Sequence, residues 1–138
     1  MNAKAYLQQV KKLDVLIENK LDQINQLRDR ATSTTAAPGG DRVQSTSKGD
    51  SLERIIIKIV DMETELERQI DRLVDLKTEV MSTIDQLENP NQINLLYKRY
   101  IKFEAWDKIA EDMNYSIQAV FKQHGIALQQ INRLINKE

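Results

Sequence analysis

Ser116, Gln118, Ala119, Lys122 and Gln123 fall on the first turns of the last stretch with helical spacing, and Lys98, Arg99, Lys102 and Lys108 come shortly before them. None of these groups suits bond-making. They suit recognition: a Gln amide offers a donor and an acceptor side by side and matches an adenine edge, a Lys ammonium reaches guanine, and the earlier cations fit phosphate oxygens. The set is therefore expected to contact double-stranded DNA, the last helix reading bases while Lys98, Arg99, Lys102 and Lys108 hold the backbone. Phe121, in their midst, fits packing better than a thymine methyl.

The residues around this set supply the means of positioning it. From Leu96 to Leu134 the order is a short helix, a turn, a helix around Ile109-Ala110, a tight turn at Asn114-Tyr115-Ser116 and a final long helix. Two closely packed helices want a small residue where they meet, and Ala110 provides one. Asn114 comes four residues later, and Asn is the residue that, after Gly, best tolerates the left-handed backbone such a turn needs. Ser116 suits the N-cap of the last helix, and Val120 points back at the helix before it. Trp106, Ile109, Ala110, Met113, Asn114 and Val120 are thus expected to form the framework, with Tyr100, Tyr115 and Leu128 beside it. His124, the single histidine, suits capping, packing or a phosphate. Gly125 inside a helix costs roughly 1 kcal/mol, which points to close approach of another backbone.

This spacing resembles region four of bacterial sigma factors, the part that reads promoter DNA. Arg99-Tyr100-Ile101, Trp106, Ile109-Ala110, Met113-Asn114-Tyr115-Ser116, Val120, His124-Gly125 and Ala127-Leu128 together resemble a family of short phage and prophage proteins related to the ArpU and RinA late transcription regulators. The likeness extends to Arg42-Val43-Gln44-Ser45 and the helix after it. Asn114 stands where Gly is usual, and the last helix is poor in Arg. The resemblance implies a phage- or prophage-encoded regulator of late genes, working in the cytoplasm of a bacterial host, with host RNA polymerase as a further partner.

Composition narrows the alternatives. A chain of 138 residues fits one domain or two very small ones. Without Cys there is no disulfide framework and no thiolate metal site, and with one His neither a metal nor another cofactor is expected. No apolar run nears the roughly 20 residues of a membrane span, and Met1-Asn2-Ala3-Lys4 does not open a signal segment. A soluble cytoplasmic protein is expected. The net charge of −1 argues against a generic polyanion binder. Lys plus Arg against Asp plus Glu nevertheless count 8 to 6 over residues 1–50, 5 to 10 over residues 51–89 and 7 to 5 over residues 90–138, so the acidic excess lies in the middle helix and the expected reader is mildly basic. There is no Gly-rich phosphate loop, no nucleophile beside the histidine and no Glu-x-x-His pattern of a dimetal bundle, so an enzyme is not expected.

The rest of the chain reads as an all-α support. Tyr6, Val10, Leu13, Ile17, Ile24 and Leu27 line one face of a helix from residue 3 to about 31. Residues 32–49, rich in Ser, Thr, Gly and Pro, read as a linker. Asp50 with Glu53 resembles a capping box, opening a helix that Asn89-Pro90 ends. Its seam of Leu52, Ile56, Ile59, Leu66, Ile70, Leu73, Val80, Ile84 and Leu87 keeps a heptad period, and Ile55, Val60, Met62, Val74, Leu76 and Met81 widen it. The expected fold is an antiparallel helical hairpin or coiled-coil bundle over residues 1–89, followed by a helix-turn-helix over residues 90–138.

Surplus apolar surface on the middle helix implies a homodimer, which recognition of two half-sites by so small a reader also calls for. Charged residues in the seams set a register. If paired positions sum to 83, Leu27 meets Ile56, Leu13 meets Ile70 and Lys20 meets Glu63, whereas a heptad's slip to 76 faces both charges with apolar residues. Two further readings share this plan: a small DNA-packaging subunit of the terminase kind, which forms rings, and an adaptor that docks on RNA polymerase without touching DNA.

Overall fold

The computed structural model describes residues 1–36 and 45–137, and every regular element among them is helical. Helix α1 spans Ala3–Ala36, α2 Ser45–Ile84, α3 Pro90–Leu96, α4 Trp106–Met113 and α5 Ile117–Ile135, and a π-helical turn, Tyr97–Ile101, prolongs α3. The fold is all-α, with α1 and α2 forming a helical hairpin. Among the described residues no helix is long and apolar enough to cross a membrane.

Local chemistry explains the element ends. Asn2 accepts the Ala5 N–H at 2.8 Å and opens α1. The expected linker is partly helix: α1 carries on through Thr32–Ala36, and α2 begins at Ser45, so Asp50 lies inside α2 rather than at its cap. Extending a helix costs far less than nucleating one, and Thr32 Oγ1 donates back to the Arg28 carbonyl at 3.0 Å. The remainder of the linker, with Arg42-Val43-Gln44, lies outside the described residues. At its other end α2 stops at Ile84, and the Gln86 and Leu87 N–H groups close tight turns on the Thr83 and Ile84 carbonyls. Asn89-Pro90, expected to end this helix, instead opens the next one. The Asn89 side chain accepts the Asn91 N–H at 2.9 Å and Pro90 fills the first turn of α3, where its missing N–H is no loss.

The chain packs as two units, one of residues 1–14 with 72–138 and the other of residues 15–71. The unit that holds α3, α4 and α5 therefore includes the start of α1 and the end of α2, which the boundary expected at residue 89 left out. The cause is a shared core. Ala3, Leu7 and Val10 are buried in one cluster with Val80, Ile84, Leu87, Leu95, Leu96, Ile109, Val120, Ala127 and Ile131. Full burial of one such aliphatic side chain contributes about 1.5–3 kcal/mol, so the cluster dictates where α1 begins to pack. Tyr6 Oη and Thr83 Oγ1 share a hydrogen bond of 3.0 Å at its edge.

In the unit of residues 15–71, Ile24 and Ile59 are buried and Arg28 Nη2 stands 2.9 Å from Glu63 Oε1. This corrects the expected register. The pairs Tyr6 with Thr83 and Arg28 with Glu63 have numbers adding to 89 and 91, about a heptad beyond 83. Lys20, expected to meet Glu63, lies eight residues earlier than Arg28, about 12 Å of helix. Ile56 and Ile70, expected in the seam, are 49% and 43% exposed. A charge pattern on two facing seams specifies register only among otherwise equal choices, and here the burial of Ala3, Leu7 and Val10 makes them unequal.

Candidate nucleic-acid interface

α4 and α5 are joined by the three residues Asn114, Tyr115 and Ser116. Asn114 ends α4 in the left-handed region at φ 57°, ψ 39°, and its N–H and that of Tyr115 close on carbonyls of the last turn of α4. Ser116 caps α5, its Oγ accepting the Ala119 N–H at 3.1 Å. Ile109, Ala110 and Val120 are buried, with Trp106 and Met113 packed against them. The small residue, the left-handed turn, the cap and the inward valine therefore occupy the places their types and spacing suggest.

Anchored by Val120, Ala127 and Ile131, α5 leaves one face exposed along its length: Gln118, Phe121, Lys122, Gly125, Gln129, Asn132 and Arg133. From Asn114 to Lys137 the chain has no Asp or Glu, so the face carries amides and cations and no carboxylate. Gln118 and Lys122 lie on it. Ser116 is occupied as a cap, Ala119 is half-buried, and Gln123 is turned inward, its Oε1 accepting from Gln92 Nε2 at 3.1 Å. Gln129, Asn132 and Arg133 were not among the expected contacts, although a 3.6-residue count from Lys122 reaches them. A Cβ added at Gly125 would meet nothing within 4 Å, which corrects the expected close approach of a backbone there.

The four expected phosphate anchors are differently placed. Glu104 is 9% exposed, and its carboxylate stands 3.3 Å from Lys108 Nζ and 3.8 Å from Lys98 Nζ, while Asp112 holds Lys98 from the other side at 3.6 Å. Lys98 is itself largely buried and Lys108 exposed. Arg99 donates to the Glu104 carbonyl at 2.9 Å and lies 4.3 Å from the centre of the Trp106 ring. Of the four expected phosphate anchors, Lys102 is exposed on the loop that follows the π-helical turn and the others already serve intramolecular contacts. The signal missed was Glu104. Its position six residues after Lys98 reads as a solvated charge until the π-helical turn and Phe103, at φ 58°, fold the loop back so that the Glu104 N–H reaches the Lys98 carbonyl at 3.0 Å.

His124 sits behind the exposed face of α5. Tyr100 Oη lies 2.7 Å from its Nε2, and the Trp106 ring meets it edge-on at 4.7 Å, as it does Phe121 at 5.3 Å. Burial, then the charges of Lys4 and Arg99, lowers the His124 pKa to about 4, and burial raises that of Tyr100. The ring is accordingly neutral and the phenol protonated near neutrality, and the two share this hydrogen bond. His124 is a packing residue here, and Phe121 packs on Trp106 with half its surface open.

Residues 32–132 match the family described as Protein of unknown function (DUF1492). The chain belongs to that family. No curated protein and no solved structure matches it. The matched span of this DUF1492 protein takes in α2, α3, α4 and the exposed face of α5 as far as Asn132.

Proposed function

We propose that this DUF1492 protein is a DNA-binding transcriptional regulator, phage- or prophage-encoded and acting in the bacterial cytoplasm as a homodimer, in which α4, the Asn114 turn and α5 serve as a helix-turn-helix. One observation carries the reading: α5 keeps an exposed face free of carboxylates, bearing Gln118 and Lys122 near its start, while its opposite face is anchored in the core. A helix so held enters a major groove with its first turns against base edges. Gln118 then reads an adenine and Lys122 a guanine or a phosphate. Lys102 and Arg133 are the exposed cations best placed by their freedom to meet backbone oxygens.

The engagement of Lys98, Arg99 and Lys108 within the protein favours a second reading, in which the same face docks on RNA polymerase. Selection of bound sequences from a random duplex pool separates the two. A consensus is expected, and it should relax at one or two positions with Gln118→Ala and Lys122→Ala. Enrichment of no sequence, with binding to polymerase retained, would favour the adaptor.

A further inference from the structure

Among the described residues of α5, Phe121 is the one large apolar side chain that stands exposed, with 49% of its surface open. It comes one residue before Lys122, one turn after Gln118 and one turn before Gly125, and so shares their face. Its ring is held from beneath. Trp106 meets it edge-on at 5.3 Å, and the indole is itself fixed by the Arg99 guanidinium, 4.3 Å from its ring centre, and by the His124 ring at 4.7 Å. A side chain already confined in this way has little rotamer freedom left to lose when something covers it. At Gly125 an added Cβ would meet nothing within 4 Å, so the surface beside the ring is open to an approaching group. No Asp or Glu lies between Asn114 and Lys137 to repel a polyanion.

From this arrangement we infer that Phe121 is a specificity-determining contact, its open half seated on the 5-methyl group of a thymine in the major groove. The inference rests on the reading of α5 as a recognition helix and names what that helix selects. Groove chemistry chooses the partner. The base edges there present donors and acceptors, and the thymine methyl is their one apolar group. Cytosine, adenine and guanine offer no methyl and set polar atoms near a ring that gives no hydrogen bond in return.

Packing on Trp106 and reading a methyl are compatible, because the first leaves about half of the ring for the second. Phe121 stands about 4.5 Å of helix beyond Gln118, against about 3.4 Å between successive base pairs. The thymine is therefore expected within one or two base pairs of the adenine assigned to Gln118.

The test uses the full chain and the duplex it enriches from the random pool. Each thymine of that duplex is replaced in turn by deoxyuridine, which removes the methyl and leaves every hydrogen-bonding group in place. At one thymine near the Gln118 adenine the Kd of the wild type is expected to rise about fourfold, which corresponds to the burial of one methyl. Phe121→Ala should bind the thymine duplex more weakly and no longer distinguish it from the uracil duplex. Phe121→Gln, whose stem still covers Trp106, should lose the distinction too, and the comparison is made in whichever variants keep the helix content of the wild type by circular dichroism. The ratio of the two Kd values within each protein is what counts, so a general weakening of the reader does not imitate the effect. A wild type indifferent to uracil at every position, or a uracil penalty that persists in the variants, would overturn the contact and leave the reading of α5 standing. Enrichment of no duplex would overturn both together.

Discussion

His124 shows how packing turns a single side chain into a measurable quantity. Held between Tyr100 and Trp106 with Lys4 and Arg99 nearby, it titrates at about 4 instead of 6.5. Above pH 6.5 the ring is neutral in the folded and unfolded chain alike. As the pH falls below that value the unfolded chain takes up a proton that the folded chain refuses until about pH 4, so stability declines through this window. The unfolding free energy from urea titrations between pH 7 and pH 4.5 is expected to fall by about 1–2 kcal/mol after allowance for partial solvent screening, and to fall less in His124→Gln. An equal decline in both proteins would place the titration elsewhere. The same neighbourhood explains why site residues were only partly legible. Gln118 and Lys122 follow from helical spacing alone, but the withdrawal of Lys98, Arg99 and Lys108 depends on Glu104, which a π-helical turn and a left-handed Phe103 bring beneath them. Such a fold-back leaves no periodic trace.

Among the elements, the α4 turn and α5 have opposite backbone demands that two substitutions expose. Asn114 occupies the left-handed region, where a residue with a plain Cβ costs roughly 1–2 kcal/mol. Asn114→Ala should therefore lower stability by about 1 kcal/mol, and Asn114→Gly should preserve or raise it. At Gly125 an added Cβ meets open space, so Gly125→Ala should raise stability by about 0.5–1 kcal/mol. Thermal unfolding followed at 222 nm reads both, and a loss in Gly125→Ala would contradict the open face of α5. Signals close together in sequence were the ones sequence reading caught: the Asn114 turn and the Ser116 cap. The helix beyond Thr32 and before Asp50 was missed because Ser, Thr and Gly lower helix propensity only weakly when a long helix already stands beside them.

On the scale of the molecule, α1 and α2 were recognisable as helices from their apolar spacing, but the heptad at which they meet was not. Register came from Ala3, Leu7 and Val10 joining the core of α3, α4 and α5, a long-range choice invisible in either seam. Ile56, Val60, Ile70 and Val74 remain exposed on α2. The reading of this DUF1492 protein as a regulator turns on whether the exposed face of α5 meets a duplex. The most direct test is a titration of the ¹⁵N-labelled full chain with a duplex bearing the selected consensus, followed by backbone amide shifts. Gln118, Lys122, Gly125 and Gln129 are expected to move first and furthest; a saturating duplex that leaves those amides in place, or that moves only residues of α2, would contradict it.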